Sequence, residues 1–438
     1  MAKKTLGELY GDHLRRVSQL ADNALAAGGY DGLITCSGSQ IYFYLDDSTY
    51  PFRPNPRYRY WLPDGTPDCF VVYRPGNRPK LVFHQPDDYW YLPPAAPEGY
   101  WVPHFDVAVV RSPAELKREI GPGRWAVLGE PTAATEGLGD HDPAAVTGPL
   151  DFARAVKSPY EVECMAVATV AGVRAHRAAE KAFREGATEY EIHLAYCQAA
   201  GAREEELPYN NIIAFDRHAA VLHYQVLDRA RKPGVKSFLI DAGAQHAGYA
   251  CNITRTYAAE SGEFLDLIRS VDSVQQKLSD RVRPGIDYRD IHLEAHRSLA
   301  GVLVRHGIVS GSPESAVETG LTTVFFPHGI GHLLGLMVHD ASGFAAAPSG
   351  GTREKPTGHP YLRLTRDLEP GFAVTIEPGL YFIDSLLEAA RADARGRAID
   401  WKRVEALRPF GGIRIEDNVI AQAGAPRNLT REAFASAA

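Results

Sequence analysis

Four strongly coordinating side chains, Asp241, His332, Glu377 and Glu416, and the amide of Asn252 each lie in or beside an apolar run. The runs are SFLIDAGAQHAGYACNITRTYA, FFPHGIGHLLGLMVHD, VTIEPGLYFIDSLL and FGGIRIEDNVI. Apolar runs of this kind become interior structure, and a carboxylate carried into an interior is costly unless it is paired or metal-bound. Buried glutamates in strands are rare without a partner. A chain with this pattern between positions 241 and 416 is therefore constrained to fold so that those groups meet.

At 438 residues the chain is long enough for two or three domains. With 45% hydrophobic and 23% charged residues, it can bury a sizeable core. A formal charge of −7 and no basic block argue against nucleic acid as a partner. No stretch approaches the ~18 apolar residues of a membrane span, and MAKKTLGELYGDHLRR has no apolar leader region. The five cysteines are dispersed and never form a CxxC pair, which suggests reduced thiols in a cytoplasmic protein.

Up to about residue 155, YDGLITCSG, DCFVVYRPGN, RPKLVFHQP and WAVLGEP read as buried strands between breakers. The aromatic, proline-rich stretch YFYLDDSTYPFRPNPRYRYWLPDGTP between them predicts a loop serving as a lid or contact surface, with surface packing as the rival reading. The texture then changes. Ser158, Pro159 and Glu161 spell a capping box opening a long helix that Gly186 stops, and Thr188 with Glu191 opens a second. Helices follow at about 262–281 and, from Asp287, at about 287–306. The last hundred residues read as strand-rich, with Glu377 and Glu416 inside strands and Arg414 on the same face as Glu416. A domain boundary is expected at about 155.

Asp241 and Asn252 are eleven positions apart, a spacing that lets a hairpin set them side by side. Taken alone, Asp241 reads more readily as a turn aspartate capping the hairpin than as a ligand. His328, His332 and His339 are interleaved with Gly329, Gly331 and Gly335, which argues against a helix and for a tight backbone that brings imidazoles close to an ion. Several carboxylates with one histidine and no cysteine describe an oxygen-rich site suited to Mn, Co, Zn or Fe. Such ions acidify water and polarise carbonyls, the equipment of amide hydrolysis.

Together DAGAQHAGYACNITRTY, FFPHGIGHLLGLMVHD, TIEPGLYFIDSLL and GGIRIEDN resemble the pita-bread metallopeptidases (peptidase M24), the group of methionine aminopeptidase, aminopeptidase P, prolidase and creatinase. YLDDSTYPFRPNPRYRYWLP, LHYQVLD and HPYLRLTRDLEPG are similar to the bacterial Xaa-Pro dipeptidase (prolidase) and organophosphorus acid anhydrolase subgroup, so the likeness spans nearly the whole chain. It implies an α+β protein: an α/β creatinase-like domain over 1–155, then a pita-bread domain over 156–438 with a curved antiparallel sheet backed by helices.

The resemblance also implies a homodimer, a pair of divalent ions (Mn2+, with Co2+ or Zn2+ as substitutes) and cleavage of Xaa-Pro dipeptides or short proline peptides. By motif position Asp241, Asn252, His332, Glu377 and Glu416 match the metal ligands, and Glu377 also matches the proton shuttle. His223 and His339 match histidines at the substrate amide and carboxylate, Arg363 matches a carboxylate contact, and Arg414 lies beside a metal glutamate. Tyr209 and His328 are further substrate-side candidates, His328 with a structural rival reading. One position departs from the family: Asn252 stands where a bridging aspartate is expected, with no acidic neighbour to replace its charge. That predicts a weakened metal position. It leaves two rivals to the dipeptidase reading, an aminopeptidase P-like enzyme and a catalytically silent peptide-binding member of the fold.

Overall fold

The structure is a computed structural model, and residues 4–436 are described. It divides into two compact units. One holds the chain through Arg154 with Ser158–Cys164 and Ala347–Gly351; the other holds Ala155–Lys157, Met165–Ala346 and the chain from Thr352 onward.

In the first unit, α1 (Leu6–Gly28) opens with the Thr5/Glu8 capping box and ends at Gly29 in the left-handed region. Strands β1 (Gly32–Cys36), β2 (Phe70–Tyr73), β3 (Lys80–His84), β4 (Asp106–Val110), β5 (Trp125–Leu128) and β6 (Asp140–His141) form a mixed sheet ordered β4-β3-β2-β1-β5-β6. The four strands expected from apolar runs are present. Strands β4 and β6 are additional, and both are largely exposed edge strands; β4 is the apolar run DVAVV, whereas the two residues of β6 carry no apolar signature.

The second unit contains most of α2 (Pro159–Arg184), then α3 (Glu189–Ala200), α4 (Glu263–Ser279) and α5 (Tyr288–Arg305). Ser158 and Glu161 exchange their capping hydrogen bonds, as do Thr188 and Glu191, and Asp287 caps α5. Strands β7 (Ile212–Phe215), β8 (Ser237–Ala242) and β11 (Ile253–Ala258) pair antiparallel. Between the last two runs the small ribbon β9 (Gln245–His246) and β10 (Tyr249–Ala250).

Beyond these come β12 (Ala373–Ile376), β13 (Gly379–Tyr381), β14 (Gly412–Arg414), β15 (Asp417–Ile420) and β16 (Arg427–Asn428). Strand β12 pairs β15 and β13 pairs β14, both antiparallel. Single bridges join Thr254 to Glu416 and Leu333 to Val374. The succession of neighbours therefore runs β8, β11, the Glu416 stretch, β12 and the His332 segment. Helix α4 packs over β11, β12 and β14, and its core includes Leu267, Val271, Val374 and Ile413.

Two expectations are corrected. The last hundred residues are not strand-rich, because helices Asp384–Arg391, Trp401–Leu407 and Leu429–Ser436 alternate with short strands. Nor do Glu377 and Glu416 lie inside regular strands. Each falls in a break, Glu377 with Pro378 between β12 and β13 and Glu416 with Ile415 between β14 and β15. Pro378 cannot donate to a ladder. The Glu377 amide turns to the carbonyl of Ile330 and the Glu416 amide to that of Thr254.

Candidate metal centre

Because the two breaks face one another across paired strands, both glutamates project toward His332 from the adjoining segment. His332 Nε2 lies 3.8 Å from Glu377 Oε1 and 3.8 Å from Glu416 Oε1. One ligand atom from each of the three residues lies within 4.8 Å of the others. The His332 Nδ1–H donates to the carbonyl of Leu333 at 2.8 Å, which fixes the tautomer and leaves the Nε2 lone pair facing the carboxylates. Glycine makes this approach feasible. Gly331 has φ +153°, and a Cβ there would collide with the Thr375 carbonyl and the Tyr288 hydroxyl.

Asn252 joins the cluster through its amide, whose Nδ2 is 3.4 Å from His332 Nε2. Its backbone amide is pinned by Asn418 Oδ1 at 3.0 Å. Cys251 faces the other way, its thiol donating to the Ala168 carbonyl. Asp241 sits one step further out. Tyr209 donates its hydroxyl toward Asp241 Oδ1 at 2.8 Å and Asn252 Oδ1 at 2.5 Å, and one phenolic proton can serve only one of them at a time. Arg414 Nη2 donates to Asp241 Oδ2 at 2.8 Å.

The remaining predicted residues surround this cluster at different depths. Arg414 is buried and also donates to the Tyr381 hydroxyl at 3.0 Å. Tyr381 in turn meets His328 Nε2 at 2.8 Å, and His328 Nδ1 is 3.8 Å from Glu377 Oε2. The His339 ring stands 4.3 Å, centroid to centroid, from that of His332 in an edge-to-face arrangement. His223 and Arg363 are solvent-exposed. They act at longer range, His223 on His328 and His339, and Arg363 on His332, His339 and Glu377.

Two contributors carried little sequence signal. Thr254 donates to Glu416 Oε2 at 2.7 Å and lies two residues after Asn252, so the period of a strand could have found it. Tyr381 links Arg414 to His328, and nothing in GLYFI distinguishes it from a core aromatic.

The electrostatics of the cluster describe a place made for a cation. Burial pushes the Glu377 and Glu416 carboxyls well above the usual range, and the negative charge of Asp241 adds to both shifts. Burial also pulls His332 down to about 3, so its imidazole is neutral and its lone pair is available. Glu416 Oε1 is buried with no hydrogen-bond partner among the described residues. Two carboxylates and an imidazole lone pair thus converge, while the buried Arg414 guanidinium, whose charge lowers both glutamates, is paired with Asp241. A divalent ion satisfies all three at once, so the donor set fits one.

The chain has counterparts among known proteins. Residues 8–152 match the family described as Xaa-Pro dipeptidase, N-terminal domain, and residues 163–423 match metallopeptidase family M24. The chain is 52% identical to the Xaa-Pro dipeptidase of Stenotrophomonas maltophilia (strain K279a), over all of both chains. It is 50% identical, again end to end, to that of Xanthomonas campestris pv. campestris (strain B100). Among solved structures, aminopeptidase P from E. coli with the inhibitor Pro-Leu superposes with a TM-score of 0.73 at 21% identity, covering 99% of this chain and 98% of that one. Proline aminopeptidase P II from Yersinia pestis gives 0.71 at 23%, covering 98% and 96%. Those two likenesses are of fold. Likeness along the whole sequence, two matched families in N-to-C order and a buried His–Glu–Glu cluster agree: the chain belongs to metallopeptidase family M24.

Proposed function

We propose that this protein is a metal-dependent Xaa-Pro dipeptidase, hydrolysing the peptide bond before a C-terminal proline. The observation that carries the reading is the convergence of His332, Glu377 and Glu416 in a chain half identical, end to end, to relatives named for that activity. We further propose a domain boundary near residue 155, Mn2+ as the working ion with Co2+ or Zn2+ as substitutes, and a cytoplasmic homodimer. Exposed aromatic side chains at Tyr42, Tyr44, Tyr89 and Trp90 in the first unit supply a surface for the dimer contact.

Asp241, Asn252, His332, Glu377 and Glu416 would hold the metal. When bound, the ion supplies Lewis acidity, polarising the scissile carbonyl and acidifying water near neutral pH. Glu377 is the half-buried member of the cluster, open enough to reach substrate. Its carboxylate takes a proton from the attacking water and delivers it to the departing proline nitrogen. An Xaa-Pro bond has no N–H to grip, so recognition falls on the dipeptide's ends. Exposed His339 and Arg363 receive the terminal carboxylate, and His223 addresses the amide carbonyl. Arg414 acts differently: clamped between Asp241 and Tyr381, it is a positioning residue that orients the aspartate. Tyr209 does the same for Asp241 and Asn252, and His328 supports Glu377 through the Tyr381 network.

Substrate length tests this reading. Gly-Pro and Leu-Pro should be cleaved well and Xaa-Pro-Yaa tripeptides poorly, and the reverse preference would make the protein an aminopeptidase P-like enzyme. A second reading, a slow or silent peptide-binding protein, rests on Asn252. An amide supplies one negative charge fewer than the aspartate expected there, which weakens one metal position. Hydrolysis of Leu-Pro by Asn252→Asp, when the unaltered protein is inert at any metal concentration, would favour it.

A further inference from the structure

A second group of titratable side chains lies on α5, and the proposed hydrolysis does not use it. His292 and His296 are one helical turn apart, so they share a face, and His359 reaches them from the loop before Arg363. The three rings stand 4.5–4.8 Å apart, centroid to centroid. One nitrogen from each lies within 4.8 Å of the other two. They open onto a cavity of about 190 Å³ lined also by Thr323, Phe326 and Tyr361.

A hydrogen-bonded core trio would leave its nitrogens satisfied, and this one does not. His292 and His296 are each 1% exposed, yet His292 Nδ1 and His296 Nε2 have no hydrogen-bond partner among the described residues. His296 Nδ1 meets the Thr322 hydroxyl at 2.8 Å, and as the donor there it presents the Nε2 lone pair to its neighbours. His292 Nε2 meets His359 Nδ1 at 2.9 Å, so one of that pair must already offer a lone pair. Among the described residues, no acidic residue lines the cavity. Orphaned buried polar atoms of this kind call for a partner that accepts several lone pairs.

We propose that His292, His296 and His359 form a second metal site, taking a nitrogen-preferring divalent transition ion such as Zn2+. Three neutral imidazoles and one open position are a known zinc arrangement, and they discriminate against hard ions such as Mn2+ that prefer oxygen. Burial already holds the imidazoles in the form a metal needs, pulling His292 down to about 2 and His296 to about 3. Bound there, the ion ties the His359 loop to α5. The site shares none of its three ligands with the carboxylate cluster, although His328, which supports Glu377, also lines the cavity, and the inference stands whether or not the protein is a dipeptidase.

The test is the amount of Zn2+ held by full-length protein, stripped with chelator and then dialysed against Zn2+. His359→Gln and His296→Gln should each bind one equivalent fewer than the unaltered protein. With Co2+ as probe, each should lose the intense visible absorption of a tetrahedral nitrogen site. Retention of Mn2+-supported Leu-Pro hydrolysis by His359→Gln would show that the lost equivalent is not the one at Glu377 and Glu416. Should the buried His296 variant fail to fold, the half-exposed His359 carries the test alone. Equal Zn2+ content and an unchanged Co2+ spectrum in His359→Gln would overturn the proposal.

Discussion

Glu416 and Asp417 are consecutive and both fully buried, and their surroundings are opposite. They project to opposite faces of one extended stretch. On one face Asp417 receives Arg255 Nη2 at 2.7 Å, Arg431 Nε at 2.7 Å and Asn428 Nδ2 at 2.9 Å. These partners outweigh its burial and hold its carboxyl below the usual range. On the other face Glu416 has only the Thr254 hydroxyl, faces two more acids, and is pushed up. The protein pairs cations directly with the carboxylate that fastens α4 and the C-terminal helix to the sheet, and gives its neighbour only the longer-range charge of Arg414. A buried acid left unpaired beside a paired one marks where an external cation belongs.

The sharpest way to break this comparison is to remove each charge in turn. Asp417→Asn should destabilise the protein by about 3 kcal/mol in chemical denaturation, because Arg255 and Arg431 lose a buried partner. Next in size, Glu416→Gln should leave the fold intact and cut Xaa-Pro hydrolysis by on the order of 10²–10³-fold. A smaller change sharpens the same contrast: Asn252→Asp should tighten metal binding about tenfold by restoring one negative charge, read by isothermal calorimetry. Smallest of all, Glu416→Gln in metal-free protein should shift stability by less than about 1 kcal/mol, or raise it, since an unpaired buried carboxylate is gone. If both substitutions cost the same stability without metal, the two faces do not differ as described.

The pattern of capping boxes and apolar runs made much of the scaffold readable. Ser158/Glu161 and Thr188/Glu191 act locally, so their helices start where the residues dictate. Strand β6 escaped because its two exposed residues carry no apolar signal, and β4 escaped although DVAVV is an apolar run, one whose edge position leaves Val107 and Val109 on the surface. The placement of Glu377 and Glu416 escaped for a different reason. Whether VTIEPGL is one strand or two depends on the partner strand opposite, which lies far away in the chain. His332 and both glutamates converge as their motifs suggested. The clamp of Asp241 by Arg414 and Tyr209 was not legible, since it links positions 209, 241 and 414 that no local spacing relates. The pair His292 and His296 carries an i, i+4 spacing on the helix expected from Asp287, a spacing that any buried helix face shows and that does not single the pair out. His359 carries no such signal, because it reaches them from a loop.

On this reading the carboxylates on the Glu416 face await a divalent cation that supports hydrolysis before proline. Removing all metal with a chelator and adding Mn2+ back while following Leu-Pro cleavage tests it most directly. Activity that vanishes on stripping, returns in proportion to Mn2+ bound, and fails to return in Glu416→Gln is the predicted result. Undiminished cleavage by fully stripped protein would contradict it.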